Sequence, residues 1–274
     1  MAEARPFRPV DPDALGIPSP HVEIDTTVAH PARVYDYVLG GKDNYPADRE
    51  VAEKAIGLIP GVEDEVRGNR QWLRRAVTFA AEQGVDQFLD VGTGIPTVGP
   101  THETAHRVSP HARVVYVDND PIVLVHARAL LVDDNLTTVL QADVRDPDTV
   151  LAAARAHLDF TRPICLMFVG LLYFITDDEL DGLLETYRDA MPDGSYLLIT
   201  HGLDNPEVKA TGKVYEQQAT APLIGRSREQ IADMFTGWNL IEPGLVPLHQ
   251  WRPTGDEVRC AHLLGGVGVK PGDT

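Results

Sequence analysis

Residues 88–96 read Phe-Leu-Asp-Val-Gly-Thr-Gly-Ile-Pro, and this stretch decides how the rest of the chain is placed. An apolar run passes through Asp90 into a Gly-x-Gly turn. With no Cβ at Gly92 and Gly94, the backbone is free to turn sharply off a strand and come within contact distance of a ligand. A strand feeding such a turn opens a nucleotide-binding α/β unit.

The residues around the glycines narrow the ligand. A dinucleotide fingerprint has a third glycine for close helix–strand packing and a helix N-terminus of bare amides facing a pyrophosphate. Here the third position is Thr97, and Pro96 just before it has no N–H to offer. Asp90, two residues ahead of the first glycine, sets a carboxylate beside the ligand. A carboxylate repels a pyrophosphate and suits a cationic amino-acid ligand. The pattern Asp-x-Gly-x-Gly resembles motif I of the class I S-adenosylmethionine (SAM)-dependent methyltransferases, with Pro96 where that family usually carries its third glycine. The resemblance implies that Asp90, Gly92, Thr93 and Gly94 hold the cofactor.

Further along, Ala112 to Val117 is a β-branched apolar run that ends at Asp118, one βαβ unit beyond Asp90. An acidic residue at the end of a second strand can accept both ribose hydroxyls, the role the resemblance implies for Asp118, with Asn119 beside it. Asp120-Pro121 supplies an N-cap and a proline at the first helical position. Thr137 to Gln141 then runs into Ala142-Asp143-Val144. In the methyltransferases an acidic or polar residue there takes the adenine amino group and its neighbour's amide meets the ring, which points to Asp143 and Val144. Any one of these aspartates taken singly also reads as a helix cap or a solvated loop residue.

The alternation continues with short connections. Expected elements are strand 86–91, helix 97–108, strand 112–118, helix 121–132, strand 137–142, helix 147–157, strand 163–169, helix 177–190 and strand 194–201. Thr176 and Glu179 form a capping box for the helix at 177. Helices over 207–218 and 227–235 follow, then two strand candidates over 240–246 and 259–269. Strand–helix alternation gives a mostly parallel sheet with helices on both faces. Two terminal strands without an intervening helix read as an antiparallel hairpin at the sheet edge. The expected fold is therefore α/β, a Rossmann-like sheet of seven strands of the class I methyltransferase kind, preceded by a helical extension. Residues 1–85 would form an arm and a helical cap or lid, and residues 86–274 the SAM-binding domain. The first twenty residues, with five prolines, read as an irregular arm; helices follow from about 32, over 47–58 and over 62–83.

Composition excludes several classes. The 274 residues carry 24 basic and 41 acidic side chains, a net charge of −17. Binding a nucleic-acid backbone normally needs a basic face, so nucleic acid is not expected as a partner. The longest apolar run, Pro163 to Ile175, is too short to span a bilayer, and no charged-then-apolar leader begins the chain. A cytoplasmic protein away from membranes is expected, with Cys165 and Cys260 free rather than bridged. Ten histidines show no metal-binding spacing, so no metal is expected.

Residues 24–50 are dense in polar and aromatic groups and contain Ala32-Arg33-Val34-Tyr35-Asp36-Tyr37 and Gly40-Gly41-Lys42-Asp43-Asn44. With the core motifs, this segment resembles the actinobacterial family once catalogued as a domain of unknown function and now described as S-adenosyl methyltransferase. As physics, Gly40-Gly41 permits a tight turn from which Lys42, Asp43, Asn44 and Tyr45 project. As a lid, the segment would offer Arg33, Lys42 and Asn44 to the SAM carboxylate, while Tyr37 and Tyr45 wall the sulfonium. The plainer reading is a helix C-cap and a solvated turn that pack the N-terminal helices.

Methyl transfer from a sulfonium is an in-line displacement, so alignment and exclusion of water dominate. A base for an oxygen or nitrogen nucleophile should sit at the carboxyl ends of the fourth and fifth strands. His201 and Tyr173 are the catalytic candidates there, with Tyr173 and Phe174 also as pocket wall. The expected activity is transfer of a methyl group from SAM to a small molecule, leaving S-adenosylhomocysteine (SAH). A non-catalytic SAM- or SAH-binding module is the alternative reading, and a nicotinamide-dependent oxidoreductase a third.

Overall fold

Five strands run parallel and side by side in the order β3 (Thr137–Gln141), β2 (Arg113–Asp118), β1 (Gln87–Val91), β4 (Cys165–Val169) and β5 (Tyr196–Gly202). A computed structural model gives this arrangement and describes residues 24–96, 99–130 and 135–272. β1, β2 and β4 are buried almost throughout, as expected of strands covered on both faces. Strand order reverses between β1 and β4, and ligands of open α/β sheets lodge in the crevice outside the strand ends at such a point.

β8 (Leu263–Val269) lies antiparallel against β5, with Tyr196 opposite Val269 and Gly202 opposite Leu263. The seventh expected strand is present there. The sixth is broken into two short pieces, β6 (Asn239–Leu240) and β7 (Val246–Pro247), both paired antiparallel with β8, so the described sheet has eight strands. Pro243 and Gly244 stand between the two pieces, and proline cannot donate to a ladder. Glycines in β8 make room for large neighbours: a Cβ at Gly265 would come within 2.7 Å of Leu248 and Trp72, and one at Gly266 within 2.9 Å of Phe235.

Both faces of the sheet are covered. On one, α3 (Val62–Glu82) lays Trp72, Leu73, Ala76, Val77 and Ala80 against Phe88, Val114, Met167, Leu198 and Val267. These positions recur at helical spacing along one side of α3. On the other face, α6 (Pro147–Ala154), α7 (Asp177–Ala190) and α9 (Arg228–Asp233) cover Leu89, Val115, Leu166, Phe168 and Ile199. Truncating a fully buried Trp such as Trp72 costs about 3–5 kcal/mol. α7 has the expected bounds, and its capping box is formed, Glu179 Oε2 accepting the Thr176 N–H at 3.1 Å.

A third apolar cluster joins α1 (Pro31–Val38), α2 (Pro46–Leu58) and α8 (Pro206–Gln218) over the strand ends. α3 gives Val62 and Val66 to this cluster while its Trp72, Leu73, Ala76, Val77 and Ala80 pack on the sheet. α4 (Thr101–Val108) starts later than the expected 97, and α5 (Pro121–Leu130) opens as expected. The expected arm over the first twenty residues lies outside the described part of the chain.

Candidate functional site

A cleft of about 400 Å³ opens at the carboxyl ends of β1, β2, β3 and β4. The turn after β1 forms its floor. Gly92 and Gly94 have φ of +72° and +63°, a region that favours glycine. A Cβ on Gly92 would also lie 2.5 Å from a Leu171 methyl, so the turn after β4 presses on the first glycine. Three bonds pin the loop: the Gly92 and Thr93 N–H groups donate to the Val117 carbonyl at 2.8 and 3.2 Å, and the Thr93 hydroxyl to the Asp90 carbonyl at 2.9 Å.

The strand-end acids line this cleft. Asp90 is buried at the end of β1, and among the described residues its side chain has one hydrogen-bond donor, the Thr101 hydroxyl at 2.7 Å. Burial pushes its carboxyl up to about 6. Asp118 accepts the Gly94 N–H at 2.8 Å on Oδ2 and the Asp120 N–H at 2.9 Å on Oδ1. Burial still raises its pKa. Asp143 is more open, and the Arg145 side chain grips it at 2.6 Å, holding its carboxyl below the usual range. Asn119 reaches Asp143 at 3.4 Å, and Val144 lines the same end.

Residues 24–33 make the opposite wall. The Ala29 N–H donates to the Gln218 carbonyl at 3.2 Å and the Thr220 N–H to the Ala29 carbonyl at 2.9 Å, tying this strap to the end of α8. Arg33 is buried and donates to the carbonyls of Asp25 and Val28 at 3.0 and 3.4 Å. Its Nε lies 3.2 Å from Asp120 Oδ2 and 3.6 Å from Asp48 Oδ1, and His30 Nδ1 lies 3.1 Å from the same Asp120 oxygen. Arg33 lines the cleft, but its guanidinium is spent on the strap.

Several predicted residues stand elsewhere. Asn44 Nδ2 donates to Asp36 Oδ2 at 2.9 Å and its Oδ1 accepts from Arg49 Nε at 2.7 Å. A Cβ on Gly41 would sit 2.0 Å from Asp36 Oδ1, so Gly41 is there for the approach of Asp36 and not for a ligand. Lys42 is exposed on that turn, outside the cleft. Tyr37 donates to Glu53, and Tyr45 packs beside Ile95 and Ile122 with Arg33 over its ring. The Gly-Gly-Lys-Asp-Asn segment is therefore built as a helix stop joining α1 to α2, and the strap before α1 is what covers the strand ends.

The catalytic candidates lie behind the cleft wall. His201 is fully buried, its Nε2 accepting from Arg226 Nη1 and its Nδ1 donating to the Gly202 carbonyl, both at 2.9 Å. Burial, aided by the Arg226 charge, lowers its pKa to about 4. A neutral ring with both nitrogens bonded has no position left for an acceptor. Tyr173 packs between Phe174 and His201, and burial holds its hydroxyl far above the usual range. Phe174, with Leu171 and Ile175, lines the cleft.

Sequence reasoning missed Asn69 and Arg70 of α3, Asp120, His30 and Thr101. The first four line the cleft, and Thr101 holds Asp90. The available signal is Asn69, a polar residue one turn before Trp72 and Leu73 on the apolar stripe of α3. Among the described residues, no group of three or more His, Cys, Asp and Glu side chains is placed to hold a metal ion.

A family model described as S-adenosyl methyltransferase matches residues 18–271 of the chain. The crystal structure of a Thermobifida fusca YX protein, provisionally described as a methyltransferase, superposes with a TM-score of 0.87 at 41% identity, covering 93% of this chain and 100% of that one. A DUF574 family protein from Streptomyces avermitilis MA-4680 superposes with a TM-score of 0.85 at 39% identity, covering 91% and 100%. No curated protein matches the chain.

Proposed function

The chain belongs to the S-adenosyl methyltransferase family, and from that premise we propose that it binds SAM in the strand-end cleft and methylates a nitrogen or oxygen of a small molecule. The observation that carries the reading is the convergence of Asp90, Asp118 and Asp143, the ends of three strands, on one cleft floored by two glycines at positive φ. These groups suit the cofactor. Burial raises the Asp90 carboxyl despite the nearby Arg70 charge, so its ionised form gains from a cationic ligand, and Asp118 is aimed by two amides toward hydroxyl donors.

SAM, when bound, supplies a methyl group on a sulfonium, and its transfer depends on alignment and dryness. The chain's part is then positional. Leu171, Phe174 and Ile175 give an apolar wall that excludes water, and Asp118 and Asp143 fix the nucleoside end. His201 takes no proton, being neutral and saturated behind that wall. Acidic net charge supports a partner other than nucleic acid. No helix among the described residues is long and apolar enough to cross a membrane, which supports a cytoplasmic setting.

The test is incubation of the protein with SAM labelled in its methyl group and an actinomycete lysate, with the label followed by size. Label in the low-molecular-weight fraction is expected. Label confined to protein or nucleic acid would remove the small-molecule acceptor, and no SAM binding by calorimetry would remove the cofactor assignment.

A further inference from the structure

Two neighbouring side chains of α3 line the cleft, each with one buried polar atom that has no hydrogen-bond partner among the described residues. Asn69 is 2% exposed and lines the cleft, and its Oδ1 has no hydrogen-bond partner among the described residues. The amide is oriented from behind. Tyr35 gives its hydroxyl proton to the Val66 carbonyl at 3.2 Å, so it can only accept from Asn69 Nδ2, at 3.1 Å. The carbonyl side of Asn69 is thereby left as a bare, buried acceptor. Arg70 lines the same cleft, its Nε is likewise unpartnered, and its guanidinium carbon lies 5.2 Å from the centre of the Tyr35 ring.

An unpartnered acceptor and a cationic side chain with an unpartnered Nε on consecutive residues match a ligand that carries an ammonium and a carboxylate on one carbon. We propose that Asn69 and Arg70 form an α-amino-acid clamp, Asn69 Oδ1 receiving the ammonium and Arg70 the carboxylate of SAM or SAH. This rests on the SAM reading above and adds the residues that make the site demand both charges.

Placement agrees. A Cβ at Gly170, just past β4, would lie 3.1 Å from Asn69 Nδ2 and 3.0 Å from the Tyr173 hydroxyl, and one at Gly94, past β1, would lie 3.9 Å from Arg70 Nη2. The pair therefore reaches from the turn after β4 to the turn after β1, across the point where strand order reverses. An unfilled buried acceptor costs about 1–3 kcal/mol, a penalty removed when a donor arrives. The clamp takes the part that the sequence assigned to Lys42 and Asn44, which lie outside the cleft.

The experiment is titration calorimetry with three ligands: SAH, decarboxylated SAH, which keeps the amine alone, and 5′-methylthioadenosine, which lacks both charged groups. Arg70→Met should weaken SAH about 30-fold and leave the other two within about threefold, as expected for one charged pair. Asn69→Leu should weaken SAH and decarboxylated SAH alike, about tenfold, and spare methylthioadenosine. Retained methylthioadenosine affinity shows that the variant is folded. The milder Arg70→Lys and Asn69→Ser serve if a first variant does not fold. Unchanged SAH affinity in the folded variants, or equal loss of SAH and methylthioadenosine in both members of a series, overturns the clamp. Failure of the unsubstituted protein to bind SAH overturns instead the SAM reading on which it rests.

Discussion

Asp90 at the end of β1 and His201 at the end of β5 are both buried titratable side chains beside the same crevice, yet the protein treats them oppositely. Among the described residues Asp90 has a single hydroxyl donor and no ion pair, and burial raises its carboxyl to about 6 against the pull of the Arg70 charge. His201 has both nitrogens bonded, and its pKa is lowered to about 4. Burial left uncompensated within a cleft marks a place kept for a ligand, whereas burial fully compensated marks architecture. A polar residue at a strand end does not distinguish the two cases until its partners are known.

The largest effect should come from the saturated end. Arg226 is 2% exposed and binds the carbonyls of Leu172 and Ile175, the carboxylate of Asp177 and His201 Nε2. Arg226→Met should lower unfolding stability by about 3–5 kcal/mol in chemical denaturation, because it strands several buried acceptors at once. A loss under about 1 kcal/mol would mean that the β5 end is not the closed structure described.

At the open end, Asp90→Asn should cut SAH affinity about 100-fold in calorimetry while making the ligand-free protein more stable at pH 7. A carboxyl moved from 3.8 to about 6 penalises the fold by up to about 3 kcal/mol above that pH. The penalty is relieved as pH falls from 6 toward 4, where the carboxyl protonates.

His201 works the other way. Its lowered pKa means that the unfolded chain takes the proton first, so stability is full above 6.5 and falls with pH from 6.5 to about 4. The two slopes oppose each other over nearly the same range. Asp90→Asn should therefore sharpen acid denaturation between pH 6.5 and 4, and His201→Gln should flatten or invert it. Parallel curves for the two variants in pH-dependent melts would break the contrast.

The smallest effect should be at the turn. Lys42→Ala should change SAH affinity less than about twofold and stability within about 0.5 kcal/mol, as for an exposed residue outside a site. A tenfold loss of affinity would restore that turn as a lid.

Much of this architecture was legible beforehand, since strand–helix alternation depends on local periodicity and turn chemistry. The glycine turn, Asp118 and Asp143 were locatable because a strand end fixes where its next residue goes. Asn69 and Arg70 were not, because nothing local tells which strand ends α3 will cross. The Lys42–Asn44 segment misled for a related reason: Gly41, Asp43 and Asn44 all serve Asp36, which looked like an ordinary helix residue. The sixth strand was predicted whole, although Pro243 within it already argued against a continuous ladder.

Asp118 has a consequence for the entropy of binding. Its two oxygens are already held by the amides of Gly94 and Asp120, so its rotamer is chosen before any ligand arrives. Ordering a free side chain at an interface costs about 0.5–1.5 kcal/mol. At Asp118 that cost falls in folding instead, and whatever hydroxyl it meets should be received with little further loss of freedom. Asp143, gripped by the half-exposed Arg145, has to share its carboxylate or release it.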